Sequence, residues 1–286
     1  MKIAIIGGGG VGGYLAAMLS KVSEVDLISK SLKKLFIKHN GKIEEYFPNI
    51  LKTPPKNKIY DVVIFTVKSY VLDDYINLIK ENIDKNTIIL PLLNGIEPYK
   101  KLKTAFPDSK VIKGAIYIVS NKISEDTVEL KGKGALIVFE EIDEKTKKLK
   151  EIFEKAGIKV KITKNIDKAI WQKYLFIAAT AALTSYYKKN FGQIAKEHLN
   201  EYEKLLDEIL KIAKKEGVHL TEEDKIKSID LLKKSPPNSK TSMQLDFEKN
   251  RPNEMENILG YLVKLAEKQD IEIPILRKIY KKLKLQ

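Results

Sequence analysis

The stretch that decides the fold is Lys2-Ile3-Ala4-Ile5-Ile6-Gly7-Gly8-Gly9-Gly10-Val11-Gly12-Gly13. Its apolar run predicts a strand, and the apolar residues after the glycines predict a buried helix. Gly7, Gly9 and Gly12 have G-x-G-x-x-G spacing, which permits a tight turn, a close backbone approach to phosphates and close packing of helix on strand. The stretch therefore predicts a dinucleotide site, with the pyrophosphate at the helix N-terminus. The predicted cofactor-binding residues here are Gly7, Gly8, Gly9, Gly10, Val11 and Gly12.

The composition limits the class of protein. A length of 286 residues suggests about two domains. The chain is 43% apolar and has no long uncharged apolar stretch, which excludes a membrane span. Because a strand is predicted from residue 2, we expect no signal peptide and a cytoplasmic protein. With no cysteine and three widely separated histidines, we expect neither a disulfide nor a metal site.

The formal net charge of +14 raises the question of nucleic-acid binding. Only Arg251 and Arg277 are arginines, the residue favoured for bidentate base and phosphate contacts. The lysines alternate with glutamates, as on solvated helix faces. We therefore expect no nucleic-acid partner, and nucleic-acid binding stays a minor alternative. We expect the positive field to attract an anionic cofactor and an acidic substrate.

Further apolar runs predict a parallel sheet followed by helices. Predicted strands cover residues 24–28, 59–68, 87–93, 111–119, 127–130, 135–139 and 159–162. From residue 165 onward the pattern is helical to the end. The sequence thus predicts an α/β N-terminal domain with a doubly wound (Rossmann-type) parallel sheet over residues 1–164, and an all-helical C-terminal domain over residues 165–286. An apolar face of the helical domain would be compatible with a homodimer.

Polar side chains follow two of the predicted strands. Lys68 ends one strand, and Asn94 follows the next. Because open α/β sheets bind ligands at the carboxyl ends of their strands, both residues are candidates for the site.

The end of the second strand is where the adenosine ribose would lie. An acidic residue there is typical of NAD sites, but Asp26 comes too early, inside the strand. Lys30 stands at this position instead, with Lys33 and Lys34 nearby. A cation suits a 2′-phosphate, so the sequence favours NADP(H) as the cofactor. An ordinary basic helix start is the alternative.

Lys173 is the strongest candidate for catalysis. It lies in the apolar part of a helix predicted over residues 166–187, and a buried lysine is costly unless it is paired or used. Helical geometry places Thr180 and Thr184 within about 20° of it on the same face. An ammonium and two hydroxyls would then form a donor-lined wall facing the nicotinamide. A lysine that extends from a half-buried helix to solvent is an equal alternative.

Together these motifs resemble a known family, the 2-dehydropantoate 2-reductases, also called ketopantoate reductases. Single pieces are weak, but the ordered series is specific and spans the chain. Members of this family reduce the ketone of 2-dehydropantoate with NADPH, in the route to pantothenate and coenzyme A. Besides the glycine motif, the resemblance is carried by Thr66-Val67-Lys68, Leu93-Asn94-Gly95, Trp171-Gln172-Lys173, Ser242-Met243-Gln244-Leu245-Asp246, Arg251-Pro252-Asn253-Glu254 and Ile271-Glu272-Ile273-Pro274.

The resemblance implies a role for each matching residue. Lys173 takes the place of the catalytic lysine that polarises the keto oxygen and supplies the proton. Glu254 matches the catalytic glutamate, which would keep the lysine charged. Ser242 matches the serine that binds the substrate carboxylate, and Asn94 the asparagine between cofactor and substrate. The other implied cofactor contacts are Lys68 near the nicotinamide and Lys30 at the 2′-phosphate.

One departure concerns the substrate. The family usually has asparagines four and eight residues after the catalytic lysine, where this chain has Ile177 and Ala181. The substrate-binding set implied here is Asn94, Lys173, Thr180, Ser242 and Glu254, with Thr180 as a substitute for a lost amide. The resemblance thus implies an NADPH-dependent reductase that converts 2-dehydropantoate to pantoate by hydride transfer to the C2 ketone, with Lys173 as the proton donor. A reductase of a more apolar 2-keto acid and a non-catalytic NADP(H)-binding regulator are the alternatives.

Overall fold

The computed structural model describes residues 1–285, which fold as two compact units. The first comprises Met1–Leu93 and Pro98–Ile166, and the second comprises Asn94–Glu97 and the chain from Asp167 onward. The division into domains after residue 164 stays a prediction. The inclusion of Asn94–Glu97 in the second unit was not predicted, because no local pattern marks it.

The first unit contains two sheets, four α-helices and two short 3₁₀ helices among the described residues. Its strands and α-helices are, in chain order, β1 (Lys2–Ile6), α1 (Gly10–Leu19), β2 (Glu24–Ile28), β3 (Leu35–His39), β4 (Lys42–Tyr46), β5 (Asn49–Leu51), β6 (Val62–Phe65), α2 (Leu72–Ile79), β7 (Ile88–Pro91), α3 (Glu97–Ala105), β8 (Lys110–Val111), β9 (Gly114–Lys122), β10 (Thr127–Phe139), α4 (Glu144–Lys155) and β11 (Lys159–Ile162).

The main sheet has the strand order β5-β2-β1-β6-β7-β8, and every neighbouring pair is parallel. Its central strands are buried on both faces, which explains their continuous apolar sequences. The predicted α/β fold with a Rossmann-type parallel sheet is confirmed. The predicted strand over 59–68 is shorter in the structure, because only Val62–Phe65 pairs with both β1 and β7.

The second sheet, with the strand order β11-β10-β3-β4 and β9 paired to β10, was not predicted as a separate sheet. Two runs predicted apart, 127–130 and 135–139, form one long strand whose register shifts between Lys131 and Leu136. Gly132 and Gly134 lie at this shift with φ of +81° and +102°. Helix α1 contacts strands of both sheets, so its small side chains Ala16 and Ala17 are fully buried.

Among the described residues, the second unit contains helices and connecting loops but no strand. Its helices are α5 (Ile166–Tyr187), α6 (Phe191–Glu197), α7 (Leu199–Lys215), α8 (Glu222–Lys234), α9 (Ser242–Glu248), a π-helical segment (Glu256–Gly260), α10 (Tyr261–Lys268) and α11 (Pro274–Leu283).

Helix α5 has the bounds predicted for it and runs through the core of this unit. Four buried alanines, at 178, 179, 181 and 182, allow neighbouring helices to approach closely. The helix predicted over 253–269 is interrupted at its start by the π-helical segment. Within residues 1–285, no helix is both long and apolar enough to cross a membrane.

Candidate functional site

The glycine loop joins β1 to α1 and is fixed by steric contacts. Gly7 has φ of +113°, and its N–H donates to the Ile28 carbonyl at 3.0 Å. A Cβ on Gly12 would overlap the Gly7 carbonyl oxygen and the Thr66 hydroxyl, so only glycine permits this approach of α1 to the turn. Gly8 and Gly10 are equally restricted, since a Cβ on either would overlap neighbouring atoms.

The first turn of α1 fits a dinucleotide pyrophosphate. Its N-cap is Gly9, which provides no side-chain cap, and the first turn contains no acidic residue. A Cβ on Gly9 would meet no atom within 4 Å. This turn therefore has neither a side-chain cap nor an acidic residue to compete for its amide groups, which suits phosphate binding at a helix N-terminus. Val11 is partly buried in the same turn.

Two cations, Lys30 and Lys122, lie near the loop that follows β2, and only Lys30 was predicted. Lys30 is exposed, and its Nζ lies 5.6 Å from the centroid of the Tyr75 ring. Lys122, from β9, donates to the Ser31 hydroxyl at 2.8 Å. Two cations beside a serine hydroxyl suit a phosphomonoester. Lys122 was missed because it lies 91 residues away in the sequence.

The loop that carries Lys30 is not a helix start, so that alternative is wrong. The backbone N–H groups of Lys33 and Lys34 donate to the Asp126 carboxylate at 3.0 and 3.1 Å, and β3 begins at Leu35. Asp26 is a structural residue, as the sequence suggested. Its buried carboxylate accepts hydrogen bonds from Asn49, Lys58 and Tyr60.

Lys173 lies on α5, where its Nζ donates to the Asn94 side-chain oxygen at 3.1 Å. Burial lowers the pKa of Lys173 to about 8, and the negative charge of Glu254 acts in the opposite direction. Glu254 is itself buried, just before the π-helical segment. Lys173, Asn94 and Glu254, which the sequence places far apart, therefore meet in the second unit. An amine that titrates near neutrality is suited to proton transfer.

Asn257 is a further polar residue of this group that the sequence did not reveal. Its side-chain N–H donates to the Asn94 carbonyl at 2.7 Å, and it is 4% exposed. No local motif marks this residue, because its partner lies 163 residues earlier in the chain.

The structure does not support a substrate contact by Thr180. Thr180 and Thr184 are both fully buried. The Thr180 hydroxyl donates to the Phe176 carbonyl and lies 3.4 Å from the Tyr202 hydroxyl, and that of Thr184 contacts Thr241 at 3.0 Å. Helical spacing correctly placed both threonines on the same face of α5 as Lys173. At the threonines, however, the surrounding helices cover this face. Thr180 is therefore removed from the site.

The two remaining candidates lie on different elements. Ser242 is exposed at the first position of α9, whose N-cap is Thr241 rather than Ser242. Because Thr241 contacts Thr184, the start of α9 packs against the helix that carries Lys173. Lys68, in the first unit, is partly buried and directly precedes a short 3₁₀ turn after β6. Among the described residues, no group of acidic or histidine side chains is arranged to hold a metal ion.

Comparison with known proteins identifies the family. The model described as "Ketopantoate reductase PanE/ApbA" matches residues 3–144, and its C-terminal counterpart matches residues 165–286. An uncharacterized oxidoreductase of Bacillus subtilis, YkpB, is 30% identical over 298 residues, covering 100% of this chain and 98% of that protein.

Two solved structures are similar over nearly the whole chain. The 2-dehydropantoate 2-reductase of Methylococcus capsulatus is 26% identical with a TM-score of 0.89, covering 100% of this chain and 96% of that one. A D-mandelate dehydrogenase, solved with NADH and anilino(oxo)acetate, is 22% identical with a TM-score of 0.89, covering 98% and 96%. The second shows likeness of fold alone. With both halves matched by the family models, this chain belongs to the ketopantoate reductase family of oxidoreductases.

Proposed function

We propose that the protein reduces 2-dehydropantoate to pantoate with NADPH, as a cytoplasmic enzyme of pantothenate and coenzyme A biosynthesis. The observation that carries this proposal is the Lys173 amine, which is bonded to Asn94, acted on by Glu254 and has a pKa of about 8. The homodimer stays a prediction.

The residues of the first unit would hold the cofactor. The loop Gly7–Gly12 and the first turn of α1 would bind the pyrophosphate, and Lys30 the 2′-phosphate. Lys68 would contact the nicotinamide part, and so would Asn94, which belongs to the second unit. When bound, NADPH supplies the hydride that is transferred to the C2 ketone carbon.

The residues of the second unit would stabilise and protonate the keto oxygen of the substrate. Hydride addition to a ketone creates an alkoxide, and the Lys173 ammonium would stabilise this charge and then protonate the oxygen. Glu254 would keep the amine charged before the transfer, since an opposite charge favours the ionised form. Ser242 would bind the substrate carboxylate.

A more apolar 2-keto acid is the second candidate substrate. Ile177 and Ala181 follow Lys173 by one and two helical turns on α5, and both present only apolar atoms. Ile177 is partly buried and Ala181 is buried. Because neither side chain has an amide group, neither can bind a substrate hydroxyl.

A panel of 2-keto acids tests the proposal. We expect oxidation of NADPH, followed by its absorbance, with 2-dehydropantoate or with branched apolar 2-keto acids, and a higher kcat/KM with NADPH than with NADH. A flat trace with every 2-keto acid, despite NADPH binding by calorimetry, would contradict the proposal and indicate a non-catalytic regulator. A preference for NADH would contradict the 2′-phosphate assignment alone.

The pH dependence of the reaction follows from the pKa of Lys173. The ammonium is the active form in reduction, so kcat should be constant below about pH 8 and fall as the pH rises above it. Glu254→Gln removes the charge that raises this pKa, so the fall should begin about one pH unit lower.

Glu256→Gln is the matched control for this change. Glu256 lies two residues further on and is exposed, and its carboxylate accepts a hydrogen bond from Tyr280 at 2.9 Å. Its profile should match that of the wild type. A rate that rises above pH 8 would exclude Lys173 as the acid, and an unchanged profile in Glu254→Gln would exclude the effect of Glu254 on the Lys173 pKa.

A further inference from the structure

The hydrogen bond between Lys173 and Asn94 depends on Asn257, which contacts Asn94 but not the Lys173 amine. Lys173 donates to the side-chain oxygen of Asn94, and the carbonyl of the same Asn94 accepts a hydrogen bond from Asn257 at 2.7 Å. Gly95, the next residue, has φ of +89°, and a Cβ there would lie 3.0 Å from the Asn257 amide nitrogen. The Asn257 side chain therefore fits against both residues of this turn.

The backbone that carries Asn257 is unusual and is itself fixed to α5. Asn257 lies in the π-helical segment Glu256–Gly260, and π-helical turns often occur at functional sites. The hydroxyl of Tyr174, the residue after Lys173, donates to the Ile258 carbonyl at 2.7 Å and lies 3.3 Å from that of Asn257. The π-helical segment is thus bonded to α5 beside the lysine and to the turn that holds the lysine's acceptor.

The Asn257 amide is retained at a cost. Its oxygen is buried and accepts no hydrogen bond within residues 1–285. A buried acceptor without a partner is unfavourable, and such groups in native proteins call for an explanation. The explanation here is that the Asn257 amide nitrogen is needed to bind the Asn94 carbonyl.

We infer that Asn257 is a positioning residue: its amide holds the Asn94 backbone so that the Asn94 side-chain oxygen receives the Lys173 ammonium. This inference rests on the proposed function for its catalytic meaning. Asn257 itself would contact neither the substrate nor the cofactor. It would affect the reaction only by fixing the orientation and the charge of the Lys173 amine.

Asn257→Leu tests the inference, because leucine has a similar branched shape and no polar atom. Without the amide, Asn94 is no longer fixed and the ammonium loses an ordered acceptor, which disfavours its charged form. We expect the pKa of Lys173 to fall by about one unit and kcat by about tenfold, with an unchanged KM for NADPH.

The pKa is measured without turnover, so that this test does not depend on the substrate. The fraction of Lys173 acetylated by acetic anhydride is followed against pH by mass spectrometry. If the pKa shifts while no 2-keto acid is reduced by the wild type, the positioning role holds and the proposed function fails. If the wild type is active and the pKa does not shift, the positioning role fails alone.

Asn82→Leu is the matched control. Asn82 is also 4% exposed, and its amide donates to two backbone carbonyls, of Pro55 and Lys58, in the first unit. Its replacement should lower the thermal midpoint and leave the pKa of Lys173 unchanged. An equal pKa shift in both variants would show a general structural effect and overturn the inference.

Gly95→Ala provides a second variant if Asn257→Leu does not fold. The added methyl group would lie 3.0 Å from the Asn257 amide nitrogen and push it away, and the φ of +89° at this position is strained for alanine. The same downward shift of the Lys173 pKa is expected. A wild-type pKa in the folded Gly95→Ala protein would overturn the inference.

Discussion

Replacing Lys173 by methionine is expected to lower kcat for 2-keto acid reduction by about 10²- to 10⁴-fold, the range that a positioned acid contributes. Methionine keeps an unbranched side chain that is one atom shorter, and it removes the charge that would stabilise the alkoxide. The dissociation constant for NADPH should not change, because the proposed pyrophosphate and 2′-phosphate contacts belong to other residues. Steady-state kinetics and calorimetric titration with NADPH measure the two quantities.

The stability of this variant is informative as well. Burial lowers the pKa of Lys173, so the folded protein binds this proton less tightly than the unfolded chain does. The charge therefore costs stability below about pH 8, and the cost falls as the pH rises toward the ordinary pKa. The thermal midpoint of Lys173→Met at neutral pH should be at least that of the wild type, as is typical when a costly functional residue is removed.

Lys225→Met is the matched control for this variant. Lys225 is also partly buried, but it forms an ion pair with Asp207 at 2.6 Å. Burial lowers its pKa, but the hydrogen bond to Asp207 together with the negative charges of Asp207, Glu222 and Glu203 outweighs this, so the pKa is raised. Lys225→Met should lower the thermal midpoint and leave kcat unchanged. If both variants lost stability and neither lost activity, Lys173 would be structural.

Replacing Gly12 by alanine is expected to destabilise the protein by about 3 kcal/mol, the upper range for overpacking a closed site. The added methyl would overlap the Gly7 carbonyl oxygen, which belongs to the backbone and cannot rotate away. Helix α1 would have to move from the turn, and its first amide groups would move with it. NADPH affinity should fall about 100-fold, which corresponds to about 2.7 kcal/mol.

Gly9→Ala separates binding from stability in the same loop. Gly9 has φ of −82°, and a Cβ there would meet no atom within 4 Å. Its thermal midpoint should equal that of the wild type, while the methyl group would obstruct the phosphates and weaken NADPH binding. Denaturant unfolding and calorimetry distinguish the two variants. A wild-type midpoint in Gly12→Ala would contradict the steric argument.

The parts of the site that the sequence predicted are those with a local signal. The glycine motif combines a strand, a turn and a helix within one short stretch, so their geometry follows from spacing. Lys173 was recognisable because a cation stands in an apolar helix. Asn94 was a candidate because it directly follows a predicted strand, and the resemblance to a family then supplied Glu254, which no local pattern marks.

The parts that were missed depend on contacts between distant positions. Lys122 and Asn257 have unremarkable neighbours in the sequence, and each acts on a partner at least 91 residues away. Thr180 shows the opposite error. Helical spacing correctly placed Thr180 on the same face of α5 as Lys173. Only the packing of Tyr202 and the neighbouring helices shows that the Thr180 hydroxyl is enclosed.

The unpredicted strands have a similar explanation. Strand β4 is largely exposed and rich in charge, so it shows no apolar alternation, and it forms only because it pairs with β3. The loop that carries Lys30 and the three short strands β3, β4 and β5 fill a stretch in which the sequence predicted no element.

Strand β4 also has a consequence for how the protein behaves in concentrated solution. It is an outer strand of its sheet, and Lys42, Glu44 and Glu45 are all exposed along it. A strand from another molecule that added to this edge would have to dehydrate these charges and set like charges against each other in most alignments. The edge thus resists intermolecular sheet growth without being covered by another element.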